Sequence, residues 1–341
     1  MRQPTIRDVA ERAGVSKSLV SLVLRGSAQV RAEKRDAVLR AVRDLGYRPN
    51  AAARTLSERR SRTVGVLLHD LRNPWFVELL DGLGPPLHAA GLHTLLADAR
   101  LGRRAGHDLA EPFLDLGADG LVVVGTLPDP AGLARVAERL PVVVAGAREP
   151  ALPGVDVVAG DDERGARLVV EHLIGLGHRR IAHVGGHGAV GELRREGYAS
   201  ALAARGLEQR VEPGDLTEEG GYRAAVRLLS RPDRPTAVFA VNDMTAVGVL
   251  TAAAELGLKV PHDVSVAGYD NTSISRLRHL WLTTVDNAGH ELGRRAARCL
   301  LQRFEDPGGA GRVHLTTPAL EVRGTTGRPY AEAAPGTAAP G

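Results

Sequence analysis

The sequence predicts a small all-α helix-turn-helix head followed by an α/β body of two parallel-sheet lobes. Three observations predict it. Charge is uneven: residues 1–62 carry 15 Lys and Arg against 6 Asp and Glu, a net of +9, whereas the whole 341-residue chain is +4, leaving −5 for the rest. Capping residues and glycines divide the first 46 residues into three short helical patterns. From Thr63 onward, short apolar runs alternate with helical patterns of about a dozen residues, the signature of strands joined by crossover helices.

The head comes first. Thr5 caps "IRDVAERAG" and Asp8 sits in its first turn, near the positive end of the helix. Ile6, Val9, Ala10 and Ala13 share one face, and Gly14 ends the run. Ser16 caps "KSLVSLVLRG", which Gly26 stops. A third helix, from about Arg31 to Leu45, carries the stripe Val38, Ala41, Val42 and Leu45 before Gly46. At 100° per residue the second helix has two sides. Leu19, Val20, Val23 and Leu24 are predicted to pack, with Lys17, Ser18, Ser21, Leu22 and Arg25 facing out. Two short helices across a glycine turn, with a third behind them, form the helix-turn-helix pattern, and its basic surface suits a polyanion. Charge alone leaves open a merely solvated helical surface.

In the joint "RPNAAARTLSERRS", Asn50 can cap a short helix. About seven residues cannot hold a helix alone, so it should order on binding. A flexible basic linker is the alternative.

The body runs are "TVGVLL", "LHTLLA", "GLVVVG", "PVVVAG", "RIAHVGG", "TAVFAVN", "VSVAGYD" and "LTTVD", enough for two parallel sheets. The stretch "LEQRVEPGD" is too polar for a buried strand. Ligands of open α/β sheets bind beyond the carboxyl ends of strands. That rule draws attention to Asp70, Asn73, Trp75 and Phe76 after the first run, and to Asn242 and Asp270 at later strand ends. Core packing for Trp75 and backbone capping for Asn242 and Asp270 are the ordinary readings. The tail from Arg328, rich in Ala, Pro and Gly, is expected to be disordered.

One motif points elsewhere. Gly186-x-Gly188-x-x-Gly191 has the spacing of a dinucleotide-binding turn, which would make the chain an NAD-dependent oxidoreductase. The acidic residue expected about 20 positions on has no clean counterpart, although Glu208 and Glu212 lie nearby. No cofactor is expected. His178, His183 and His187, 5 and 4 residues apart over a turn, strand and loop, do not set a coordination shell, so no metal is expected either. Neither G-x-S-x-G nor H-E-x-x-H occurs. The single cysteine, Cys299, cannot form an internal disulfide and reads as a small buried hydrophobe. The N-terminus lacks a secretory apolar region, and no run approaches the roughly 18 apolar residues of a membrane span. A cytoplasmic protein without membrane contact is expected, not a stand-alone secreted solute-binding module.

At this point "TIRDVAERAGVSKSLVSLVLRG" and "VRAEKRDAVLRAVRDLGYRPNAAARTL" resemble the DNA-binding head of the lactose-repressor (LacI/GalR) family. The resemblance continues through "NPWFVELLDGL", "GDDERGARLVVEHLIGLGHRRIAHVGG" and "LTTVDNAGHELGRRAARCLL" to about residue 327. It implies a transcriptional repressor, with no enzymatic role, that binds double-stranded operator DNA as a homodimer under a small-molecule effector, a sugar or another metabolite. It implies major-groove contacts from Ser16, Lys17, Ser18, Ser21, Leu22 and Arg25, and a minor-groove hinge helix with Asn50, Ala53 and a wedging Leu56. The body then resembles a type I periplasmic binding protein, crossing between lobes near residues 159, 288 and 317. The implied units are a head at 1–48, a hinge at 49–60, a body at 61–327 and a tail at 328–341. Lobe 1 would take about 61–158 and 289–316, lobe 2 about 159–287 and 317–327. Effector contacts map onto Asp70, Asn73, Trp75, Phe76, Arg194, Asn242 and Asp270.

Four departures stand out. Leu22 replaces a common arginine and Leu19 a common threonine, so the operator should differ at the position facing Leu22. Gly146 stands where many relatives have aspartate, and Leu216 replaces a common aromatic platform. Both losses weaken the case for a simple sugar.

Overall fold

The computed structural model describes residues 4–24, 26–27, 29–47, 61–101, 109–125, 130–149 and 152–330. The chain divides into two compact units between Ser61 and Arg62. Arg25 and the hinge residues Asn50, Ala53 and Leu56 lie outside the described residues.

In the first unit, α1 (Ile6–Ala13) opens with a reciprocal cap. Thr5 Oγ1 accepts from the Asp8 amide, and the Thr5 amide donates to Asp8 Oδ2 at 2.7 Å. In α2 (Lys17–Leu24), Ser16 Oγ accepts the Leu19 amide at 3.2 Å. α3 (Ala32–Leu45) closes the unit, and Gly14 and Gly46 end their helices with left-handed backbone. Val9, Ala10, Val20, Val23, Val30, Val38 and Ala41 form the buried core, with Leu19, Leu22 and Leu24 packed against it. The outward expectation for Leu22 is therefore only half met. With three apolar helices around so small a core, a leucine at the edge of the exposed face is drawn partly inward.

The second unit holds two parallel sheets. The larger contains β1 (Thr63–Leu68), β2 (His93–Asp98), β3 (Gly120–Val124), β4 (Val142–Ala145), β5 (Asp156–Gly160) and β11 (Val313–Thr316), in the order β11-β5-β4-β3-β1-β2. The smaller contains β6 (Ile181–Val184), β7 (Arg210–Glu212), β8 (Ala237–Ala240) and β9 (Ser265–Ala267), in the order β7-β6-β8-β9. β10 (Thr284–Asp286) and β12 (Ala319–Glu321) form an antiparallel pair. The polar stretch set aside as a strand does contribute β7, half-exposed at a sheet edge, where one face and one side need no apolar partner.

The connecting helices are α4 (Trp75–Ala89), α5 (Pro112–Asp115), α6 (Pro130–Ala137), α7 (Asp162–Gly175), α8 (Gly188–Ala203), α9 (Glu218–Leu229), α10 (Asp243–Glu255) and α11 (Gly289–Glu305). Two core clusters cover the larger sheet's faces and two cover the smaller's, as parallel sheets require. α4 and α11 cross at near backbone contact. A Cβ on Gly82 would overlap the His290 carbonyl, and one on Gly293 the Leu79 carbonyl. The chain leaves the first lobe after β5, returns between β10 and α11, and leaves again between β11 and β12. Hydrogen bonds tie these crossings together: Thr316 Oγ1 donates to the Asn287 carbonyl at 3.1 Å, and the Asp161 amide to the Thr316 carbonyl at 3.2 Å. The expected disorder from Arg328 begins too early. Pro329 packs beside Gly177, and the Tyr330 ring lies 4.7 Å from that of His262. Among the described residues, no helix is long and apolar enough to cross a membrane.

Candidate functional site

Two surfaces carry the sequence candidates. On the head, Ser16, Lys17 and Ser18 are exposed, Ser21 and Leu22 half-buried, and Val20 and Val23 buried beneath them. The first turn of α2 thus offers one cation and two hydroxyls from a rigid support, a surface that can meet phosphates and base edges.

The second surface is a cavity of about 400 Å³ between the lobes of the body. It is lined by His69, Asn73, Trp75, Gly125 and Gly146 from the first lobe, and by His187, Val190, Arg194, Leu216, Asn242 and Asp270 from the second. Every strand-end loop here follows the carboxyl edge of a parallel sheet, where backbone groups and helix starts leave room for a ligand.

The first-lobe wall is made by glycine yielding to indole. Gly146, just past β4, has φ +76°, and a Cβ there would overlap Cη2 of Trp75. The side chain missing at 146 is therefore replaced in space by Trp75. Phe76 meets Trp75 edge-on at 5.2 Å between centroids and stays buried behind it, out of the cavity. Asn73 Oδ1 accepts the Trp75 amide at 3.0 Å, fixing the start of α4. Asp70 also misses the cavity. Its carboxylate accepts from Arg72 Nε at 2.9 Å and lies 3.5 Å from Arg100 Nε, and it lines a smaller neighbouring pocket instead.

The second-lobe wall is ionic. Arg194, on α8, is 5% exposed. It donates from Nε to Asp162 Oδ1 at 2.9 Å, from Nη1 to the Val241 carbonyl at 2.7 Å and from Nη2 to Asp270 Oδ1 at 3.1 Å. Its guanidinium stacks 3.6 Å above the Tyr269 ring. Burial works against this charge, but Asp270 and Asp162 more than restore it, so Arg194 stays protonated. Burial in turn pushes the Asp270 carboxyl up to about 7, with Arg194 pulling the other way. Asn242 has the ordinary role: Oδ1 caps α10 through the Thr245 amide at 2.8 Å, and Nδ2 donates to the Leu216 carbonyl at 3.0 Å.

Sequence reasoning did not single out Asn287. Placed at the second crossing, it accepts the Trp75 indole N–H at 2.9 Å and donates to Asp270 Oδ1 at 3.0 Å, bonding one wall to the other. His69 and His187 were also missed as a pair; their rings face across the cleft, 6.4 Å apart. The strand-end rule could have found His69, which follows β1 directly. No local signal marks Asn287, because its partners lie 212 and 17 residues away.

The glycine motif is accounted for here. Gly188 starts α8, Gly191 packs on the Gly186 carbonyl, and the Leu216 side chain lies over Gly186, the glycine of the tight turn. The remaining histidines do not converge: His178 bonds Thr236, Ser265 and the Gly327 carbonyl, while His183 is buried between Tyr198 and Phe239. Cys299 is buried in the first-lobe core.

A helix-turn-helix unit joined to a two-lobed body with an interlobe cavity defines a class, the regulatory proteins built on a binding-protein-like frame. Residues 5–50 match the family model of bacterial regulatory proteins of the lacI family, and residues 170–326 match a periplasmic binding protein-like domain. The HTH-type transcriptional repressor PurR of Erwinia tasmaniensis is 34% identical over 96% of this chain and 98% of its own. The HTH-type transcriptional regulator CelR of Thermobifida fusca is 35% identical over 89% of this chain and 92% of its own. Among solved structures, a lac repressor dimer bound to operator and the anti-inducer ONPF superposes with a TM-score of 0.84 at 28% identity, covering 96% of this chain and all of that one. A CelR–cellobiose complex gives a TM-score of 0.70 at 31% identity, with 94% and 99% covered. The chain belongs to the lacI family of bacterial regulatory proteins.

Proposed function

We propose that this chain is a cytoplasmic, non-catalytic repressor that binds double-stranded operator DNA as a homodimer and is switched by a small molecule held between the body lobes. The observation that carries the reading is the exposed first turn of α2, with Ser16, Lys17 and Ser18 outward over the buried Val20 and Val23. Lys17 and Ser18, with Ser21, Leu22 and Arg25, would read the major groove, and Asn50, Ala53 and Leu56 the minor groove. The relatives named PurR and CelR support the regulatory role, and the operator-bound lac repressor dimer supports both partner and assembly. In the cleft, Asn73, Trp75, Arg194 and Asp270 would meet the effector directly. Asp70, Phe76 and Asn242 would hold the wall they form. A ligand shifts operator affinity only by binding the two lobe arrangements unequally.

Binding-site selection followed by gel shift tests this. A roughly palindromic site is expected, with affinity falling as salt rises, and Lys17→Ala should flatten the salt slope by about 1 for each protomer of the dimer. Binding that ignores both sequence and salt would sink the reading.

A further inference from the structure

The cavity's chemistry narrows its occupant. Resting on the reading of the cleft as the effector site, we infer that the effector is a neutral compound with a flat, largely apolar ring body and few hydrogen-bonding groups, and not a free sugar or an anion.

Shape comes first. Trp75 occupies the room that a side chain at 146 would need and is held there by its bond to Asn287. Its indole is a fixed apolar surface, not a flexible one. Leu216 and Val190 line the second-lobe side, and Leu216 keeps its place with φ +67°, left-handed backbone that a leucine rarely adopts. With the indole on one side and Leu216 and Val190 in front of the ion pairs on the other, a space of about 400 Å³ suits a ring system.

The polar supply is short. Asn242 has bonds at both ends of its amide, and Asn73 Oδ1 serves the backbone. Arg194 already makes three bonds, and Asp270 Oδ1 receives two. What remains for a ligand is the outer N–H groups of Arg194, Asp270 Oδ2, the Asn73 amide nitrogen and the His187 imidazole. A free sugar carries a hydroxyl on nearly every carbon, each a donor and a double acceptor. Each one buried without a partner costs roughly tenfold in affinity.

Charge excludes anions. Arg194 is bonded to two carboxylates, Asp162 and Asp270, so the set carries no surplus positive charge. A carboxylate or phosphate entering the cleft would lose its water without gaining a free cation.

The test is thermal unfolding and titration of the full chain with indole, benzamide, benzoate, glucose, ribose and cellobiose. Indole or benzamide should raise Tm saturably by roughly 2–4 °C. Benzoate, the anionic isostere of benzamide, should bind at least about tenfold more weakly, and the sugars should give no shift. Leu216→Asn suits the left-handed backbone and so keeps the fold, and it should weaken indole and benzamide about tenfold by restoring polarity to the wall. Saturable binding of any of the sugars, equal binding of benzoate and benzamide, or no shift with either ring compound overturns the inference. Operator binding is measured on the same preparation. A sugar that binds and alters operator affinity would overturn the ligand class while leaving the regulator intact.

Discussion

Both lobes bring the carboxyl ends of parallel strands to the cleft, yet they furnish them with opposite chemistry. The first lobe supplies glycines and an indole, so its wall is shaped by what side chains are absent. The second supplies a buried guanidinium between two carboxylates, so its wall is shaped by charges that must satisfy one another. The large displacements of ionisation follow the same division: in the second lobe burial lowers His183 to about 4 and raises Asp243 to about 6 and Asp270 to about 7. A single fold thus tolerates an apolar wall, which tolerates repacking, and an ionic one, which does not tolerate loss of a member.

The sharpest way to break the comparison is Arg194→Met. It leaves Asp162 and Asp270 buried without their cation and should cost about 3–5 kcal/mol in urea unfolding. A loss no larger than that of a surface arginine would mean the second wall is not ionically held. On the first wall, Gly146→Ala forces a Cβ into Trp75 at a left-handed position and should cost about 2–3 kcal/mol. Its second signature is a change in Trp75 fluorescence, read in a Trp281→Phe background.

Acid should separate the lobes as well. His183 Nδ1 donates to the Phe239 carbonyl at 2.9 Å while Nε2 is buried without a partner, and burial lowers its pKa to about 4. Between the ordinary 6.5 and about 4, the unfolded chain binds the extra proton, so stability from neutral His183 is lost as pH falls through that window. Asp243 and Asp270, raised by burial to about 6 and about 7, act oppositely and lose stability as pH rises. Comparing wild type with His183→Phe cancels the carboxylates. From pH 7.5 to 5 the variant should lose about 2 kcal/mol less than wild type.

The smallest effect tests the link between the walls. Asn287→Ala removes the bonds to Trp75 and Asp270 and should cost about 1–2 kcal/mol. In a double-mutant cycle, Trp75→Phe and Asp270→Asn should couple only while Asn287 is present. Coupling that persists without it would assign the connection to other contacts.

Much of the fold was legible because its signals are local. Thr5 and Asp8 are three residues apart and cap one another, and Ser16 lies just before the helix it starts. Continuous apolar runs such as "GLVVV" read as strands because parallel sheets bury both faces. Sequence reading failed where an element needed little apolar content: β7 is three residues at an edge, and Arg328 to Tyr330 are ordered by contacts distant in the chain. In the cleft, position after a strand identified Asn73, Trp75 and Asp270 but could not separate them from Asp70, whose carboxylate is taken by Arg72 and Arg100.

By itself, then, the sequence determined the basic three-helix head, the alternating α/β body and the candidate strand ends. Periodicity, caps and charge act within a few residues. Tertiary structure alone decided which polar groups remain for a ligand, that Trp75 fills the room left by Gly146, and that Asn287 joins the walls. Those outcomes depend on side chains from residues 75, 146, 194, 270 and 287 competing for one enclosed space. No window of sequence contains that competition.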